Sequence, residues 1–204
     1  MRLGVFGGTF DPPHWGHLRL AEAAQRQLRL DQVLWVLTAD PPHKHGRVIS
    51  AVADRLAMVQ AAIAGQPAYV LSRVEIDRPG PHLAADTVAL LAQHYPAAQL
   101  VYLMGGDSLR DLPRWVRPQD FLAHCSLGVL RRPGDAIDVA ALEAALPGLV
   151  AKLEFVEAPL LDIASHEIRR RAREPQALAD LVPEAVARII QARRLYGAES
   201  EQPL

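Results

Sequence analysis

Residues 7–17 read Gly7-Gly8-Thr9-Phe10-Asp11-Pro12-Pro13-His14-Trp15-Gly16-His17. Just before them, Leu3-Gly4-Val5-Phe6 is a short apolar run that predicts a buried strand. After them, Leu18, Ala21, Ala24 and Leu28 recur with helical spacing, which predicts a helix over Trp15 to Leu28. The stretch is then a glycine-rich turn between a strand and a helix N-terminus. Such a turn suits an anion, because glycine lets backbone come close and the first helical N–H groups have no partner within the helix. His14 and His17, three residues apart, share a face of the first turn. Two imidazoles beside the positive end of a helix suit phosphate oxygens better than a hydrophobic core. The pair could also ligate a metal, but no neighbouring Cys or Glu completes a tetrahedral set. The dinucleotide pattern G-x-G-x-x-G is absent, since Thr9 follows Gly7-Gly8.

Outward from this turn, strand-like and helix-like segments alternate. Val33 to Leu37 predicts a second strand, followed by a loop carrying Pro41-Pro42-His43-Lys44. Ser50 is a candidate cap for a helix running to about Ala64, and Tyr69 to Ile76 reads as extended. His82 to Gln93 has helical spacing, Leu100 to Met104 predicts a strand, and Gly105-Gly106-Asp107-Ser108 a second glycine turn. Leu127 to Leu130 and Leu153 to Val156 complete the strands, with a short helix over Val139 to Leu146. The last part, about residues 163–197, is helical: Ser165 to Arg173, then Pro183 to about Tyr196. Alternation of this kind predicts an α/β fold, a doubly wound and mostly parallel sheet with helices on both faces, in one domain over residues 1–204. Ligands of such sheets sit outside the carboxyl ends of the strands. Gly7 to His17, Lys44, Gly105 to Asp107 and Arg131-Arg132 all fall there, which argues for a single site.

Composition narrows the function. With 50% hydrophobic residues among 204, the chain can bury a sizeable core. A net charge of −1 argues against wholesale binding to nucleic acid or a membrane surface, so cations must act locally. The single cysteine, Cys125, allows no internal disulfide and fits a reducing compartment. Without a leader-like start or a long apolar run, a soluble cytoplasmic protein is expected. Two His, a Lys, several Arg and backbone amides, with no nucleophile beside its own base, point to phosphoryl or nucleotidyl transfer.

The Gly7 to Pro12 run followed by His14-Trp15-Gly16-His17 resembles the nucleotidyltransferase superfamily whose members carry an H-x-G-H motif after the first strand. Class I aminoacyl-tRNA synthetases share a related motif, but 204 residues are too few for one. Within the superfamily the chain is most similar to the bacterial nicotinate-nucleotide adenylyltransferases, almost end to end. The resemblance implies a Rossmann-like nucleotidyltransferase fold and adenylyl transfer from ATP to nicotinate mononucleotide. It implies that Gly7, Gly8, Thr9, Phe10, His14, His17, Gly105 and Asp107 meet ATP, with both histidines catalytic. Ile163-Ala164-Ser165-His166-Glu167-Ile168-Arg169 resembles the family's I-S-S-T-x-x-R, which binds ATP phosphates. Only Ser165 and Arg169 carry over, Ser165 as a candidate N-cap and Arg169 as a catalytic cation. Ala164 and His166 depart from the pattern.

For the acceptor, the resemblance implies Lys44, also catalytic, with Gly80, Pro81, Thr87, Trp115 and Arg132. Trp115 lies in a match to the family's L-P-x-W, where it would stack on a pyridine ring, and Arg132 lies in a match to R-P-G. The family's G-P-S-Y-T-x-(D/E)-T becomes Gly80-Pro81-His82-Leu83-Ala84-Ala85-Asp86-Thr87, so the part that lies against the pyridine differs. Magnesium is expected to arrive with ATP rather than in a protein cage. The expected partners are ATP and a pyridine mononucleotide, with no nucleic acid and no membrane, and a homo-oligomer is compatible with the sequence. Alternatives stay open: nicotinamide mononucleotide or phosphopantetheine as acceptor, or a nucleotide-sensing module without turnover.

Overall fold

The apolar runs pair into one sheet. A computed structural model of the chain describes residues 1–40, 49–131, 136–158, 163–172 and 178–197. Its six strands are β1 (Arg2–Gly8), β2 (Gln32–Leu37), β3 (Tyr69–Ser72), β4 (Gln99–Gly105), β5 (Ser126–Arg131) and β6 (Leu153–Glu157). They lie in the order β3-β2-β1-β4-β5-β6, and every neighbouring pair is parallel. The helices are α1 (Trp15–Gln27), α2 (Val52–Ile63), α3 (Ala84–His94), α4 (Gly106–Asp111), α5 (Pro118–His124), α6 (Val139–Ala145), α7 (Ser165–Arg171) and α8 (Glu184–Ala192).

Because side chains alternate across a strand, the central strands feed two cores. Leu34 and Val36 of β2 pack on one face with Ala85, Val88 and Leu91 of α3, Leu109 of α4, Phe121 of α5 and Leu142 of α6. Val33, Trp35 and Leu37 pack on the other with Leu18, Ala21 and Ala24 of α1 and Val59 and Ile63 of α2. A third cluster joins Met58 and Ala62 of α2 to Ile168 of α7 and to Val186 and Ile190 of α8. The C-terminal helices thus rest on α2. No helix among the described residues is long and apolar enough to cross a membrane.

Several local expectations change. β3 ends at Ser72 rather than near Ile76, since its last partner is Val36 and β2 stops one residue later. Ser50 does not cap α2: Ala51 holds that place, and the Ser50 N–H donates to Asp11 Oδ2 at 3.2 Å. Ser165 is the first residue of α7 rather than its cap, which is Ala164. Gly105-Gly106-Asp107-Ser108 is a turn that runs directly into α4. α4 and α5, of six and seven residues, were not expected from the sequence.

β1 is flanked by β2 on one side and β4 on the other, so the chain reverses its direction of travel between β1 and β4. In open α/β sheets the crevice above that switch point takes the ligand. The β1–α1 turn and the β4–α4 turn both stand there.

Candidate active site

The β1–α1 turn is shaped by an aromatic ring folded back on a glycine. Phe10 has φ +48, a left-handed conformation uncommon outside glycine. Its ring packs against Phe6 and Trp35, with centroids 5.6 and 5.1 Å away, and the residue is 2% exposed. A Cβ on Gly8 would stand 2.8 Å from that ring, so only glycine fits. Expected on ATP, the Phe10 side chain belongs to the core instead, because burying a phenyl ring outweighs leaving it in a wet crevice. Gly7 faces Tyr102, whose hydroxyl would lie 3.0 Å from a Cβ there.

His14 takes the N-cap position of α1 in extended conformation, and its N–H donates to His17 Nδ1 at 3.2 Å. Nδ1 of His17 is therefore an acceptor, and in the neutral ring the proton sits on Nε2. The two imidazoles stack with centroids 3.7 Å apart. Gly16 makes this possible: a Cβ there would be 2.9 Å from His14 Cε1 and Nδ1. His17 is half-buried, whereas His14 is only 7% exposed. Burial lowers the His14 pKa to about 4, so the ring is neutral near pH 7. The sequence reading has both rings open to a ligand; His14 is instead nearly enclosed. Its Nδ1 has no hydrogen-bond partner among the described residues. That nitrogen faces the first turn of α1, where the His17 backbone closes a capping box with the His14 side chain.

Sequence reasoning missed the residues that hold this turn. Arg55 of α2 is 2% exposed. Its Nε donates to the Ser50 carbonyl at 2.9 Å, Nη1 to those of Thr9 and Thr38 at 3.1 and 2.7 Å, and Nη2 to that of Ala39 at 2.9 Å. One planar fork thereby ties together the chain beyond β1 and beyond β2. Thr9 contributes its carbonyl to this clamp. Asp11, 3% exposed, accepts from Ser50 N–H and, at 2.7 Å, from the Tyr196 hydroxyl. An arginine at a buried helix position looks in sequence like any solvated helix cation, so no local signal marks it.

α7 docks on the same turn. Arg169 Nη1 donates to the Asp11 carbonyl at 2.8 Å, and Ser165 Oγ to the Pro12 carbonyl at 3.1 Å. Ser165 and Arg169, 150 residues downstream of His14 in round terms, thus come together with it through consecutive peptides. His166 is exposed. A cavity of about 310 Å³ borders Asp11, Ser50, Arg169 and Tyr196, and neither His14 nor His17 lines it.

The remaining expected residues divide. Gly105 ends β4 beside the switch point, with open space where a Cβ would be. Asp107 is exposed and ion-paired with Arg110 at the start of α4. Gly80-Pro81 precedes α3, and Arg78 Nη1 donates to the Pro81 carbonyl at 2.9 Å. Thr87, expected on the acceptor, is 1% exposed; its hydroxyl donates to Glu75 Oε1 at 2.8 Å and accepts from Arg78 Nη2. It holds a buried carboxyl whose pKa is raised by desolvation, and is not open to a ligand. Trp115 is half-buried, edge-on to Tyr102 and Phe121. Lys44 and Arg132 lie outside the described residues, as do His43 and His45. Among the described residues no group of three or more His, Cys, Asp or Glu is arranged to hold a metal ion.

Comparison with known proteins fits this geometry. A family profile described as cytidylyltransferase-like matches residues 5–171. The "Probable nicotinate-nucleotide adenylyltransferase" of Thermomicrobium roseum is 44% identical over 195 residues, covering 96% of this chain and 91% of its own length. That of Gloeobacter violaceus is 42% identical over 200 residues, covering 96% of each. Among solved structures, a Plasmodium falciparum nicotinic acid mononucleotide adenylyltransferase complexed with NaAD shares the fold, with a TM-score of 0.76 at 16% identity over 96% of this chain and 97% of that one. The chain belongs to the cytidylyltransferase-like family and, within it, to the nicotinate-nucleotide adenylyltransferases.

Proposed function

We propose that the protein transfers the adenylyl group of ATP to nicotinate mononucleotide, giving deamido-NAD and pyrophosphate in NAD synthesis. The observation that carries this reading is the His14-Gly16-His17 turn at the sheet's switch point, in a chain alike end to end with named nicotinate-nucleotide adenylyltransferases. An oxygen of the acceptor's 5′-phosphate attacks the α-phosphorus of ATP, and the bond to the β-phosphate oxygen breaks to release pyrophosphate. The protein's work is positioning and charge stabilisation. The N-terminal amides of α1 and the Nε2–H of His17 face the α-phosphoryl group, and neutral His14 adds a second donor. Arg169 uses one N–H on the Asp11 carbonyl and has other donors for the triphosphate. Ser165 lies beside it, and Gly7, Gly8 and Gly105 let backbone approach.

Magnesium fits as a companion of ATP. Asp11 is taken up by Ser50 and Tyr196, Asp107 by Arg110, and the described residues build no acidic cage. When bound, the ion neutralises β- and γ-phosphate charge. Trp115, Gly80 and Pro81 border the acceptor side, and we assign Lys44 and Arg132 to the acceptor's charge. We read residues 1–204 as one domain, supported by the burial of α7 and α8 on α2, and the enzyme as cytoplasmic.

The His82-Leu83-Ala84 departure favours testing a second acceptor. Pyrophosphate release measured side by side with nicotinate mononucleotide, nicotinamide mononucleotide and phosphopantetheine decides the matter. The expected result is at least about tenfold higher kcat/KM for the nicotinate form. Equal or reversed preference overturns the acceptor assignment, and ATP binding without turnover on any acceptor overturns the enzyme.

A further inference from the structure

The C-terminal segment reaches back to the phosphate turn in a way the reaction does not require. Tyr196 follows α8 and donates its hydroxyl to Asp11 Oδ1 at 2.7 Å, a bond that joins residues 185 apart. Two nearby residues hold left-handed backbone to allow it, Arg194 at φ +51 and Tyr196 itself at φ +67. Neither is a glycine, so each stores strain that surrounding contacts must offset. The side chain is half-buried, and burial together with the Asp11 charge raises the pKa of its hydroxyl. It therefore stays a donor throughout the working pH range.

Asp11 is where the ATP half-site is assembled. Its carboxylate takes Ser50 N–H and the Tyr196 hydroxyl, while its carbonyl takes Arg169. The next carbonyl, that of Pro12, takes Ser165. Any rotation of Asp11 displaces both α7 side chains and the turn that leads into His14. Arg55, whose charge interacts with that of Asp11, restrains the opposite side through Thr9.

We propose that Tyr196 is a positioning residue for ATP: through its bond to the Asp11 carboxylate, the end of the chain sets the placement of Arg169 and Ser165 against the triphosphate. This rests on the functional reading above, but concerns the ATP half-site alone. Phenylalanine keeps the ring and its packing while removing the hydroxyl. Tyr196→Phe is expected to lower kcat/KM for ATP by about tenfold, the scale of one hydrogen bond to a charged group, with the acceptor KM changed by less than about twofold. In Arg169→Ala the same hydroxyl should matter by less than about twofold, since the group it positions is gone.

Arg193→Gln serves as the structural control. It breaks the 2.6 Å ion pair with Asp54 that holds the same segment on α2, and leaves the Tyr196 hydroxyl and its bond to Asp11 in place. It should lower Tm and leave kcat/KM for ATP unchanged. The proposal is overturned if Tyr196→Phe lowers only Tm, if its effect adds fully to that of Arg169→Ala, or if Arg193→Gln weakens ATP use equally. Equilibrium binding of a non-hydrolysable ATP analogue, without acceptor, separates the two readings. A wild-type protein that binds none overturns both. One that binds it but prefers another acceptor overturns only the acceptor assignment, and the tyrosine comparison is then made with that acceptor.

Discussion

Replacing His14 by glutamine should flatten the acid limb of the protein's stability curve. The ring is 7% exposed and stacked on His17, and its Nδ1 has no hydrogen-bond partner among the described residues. Burial takes its pKa from 6.5 to about 4 in the folded chain, while the unfolded chain keeps the ordinary value. Between those two values the unfolded state binds more protons than the folded one, so stability falls as pH falls. Above the unfolded value both states leave the ring neutral and His14 has no effect; below about pH 4 both are charged and the loss is complete. The full loss is roughly 3 kcal/mol, of which about 2 kcal/mol is reached at about pH 5. Against a total stability of about 5–15 kcal/mol that is readily measured. Urea unfolding of both proteins at about pH 8 and about pH 5 provides the assay. Each protein is referred to its own value at the higher pH, which cancels the cost of the substitution itself. The wild type should lose about 2 kcal/mol more than His14→Gln. Parallel pH curves would refute a buried neutral His14, and with it a site whose positive charge comes from helix amides and Arg169 rather than from that imidazole.

Gly8→Ala should cost about 1–3 kcal/mol, because its Cβ meets a Phe10 ring wedged between Phe6 and Trp35; thermal unfolding reads this directly. Arg55→Met should destabilise by about 3–5 kcal/mol, since the carbonyls of Thr9, Thr38, Ala39 and Ser50 lose their donor and buried Asp11 its nearby cation, as urea midpoints will show. Thr87→Val should cost about 1–3 kcal/mol through the hydroxyl donor lost to buried Glu75 and leave the acceptor KM nearly unchanged, and a large KM effect would return Thr87 to the acceptor site. His17→Ala should lower kcat by about 100–1,000-fold in the pyrophosphate assay, the scale of one lost transition-state donor.

Much of the candidate site's geometry was legible because its signals are local. A strand, a glycine turn and a helix start lie within some twenty residues, and His14, Gly16 and His17 acquire their places from that succession alone. The glycine between the histidines has a reason that the spacing does not reveal: the His14 ring lies over it. Ser165 and Arg169 were found through a motif, and the structure brings both to the turn. Phe10 and Thr87 sit inside matching motifs yet face inward, since a motif records which residue is present and not which way it points.

The alternation of buried apolar runs with helical periods is written residue by residue, because each run must hide its own side chains; that determined the parallel sheet and the position of its first glycine turn. Which helices cover which face, and where a lone cation or hydroxyl finds its partners, depends on contacts between segments far apart in the chain. Arg55 reads as one more helix arginine until two strand ends and a loop place four carbonyls around it. Tyr196 marks only the end of the last helix until α8, packed on α2, delivers its hydroxyl to Asp11. Hydrogen bonds of that reach have no sequence period, so only the folded chain decides them.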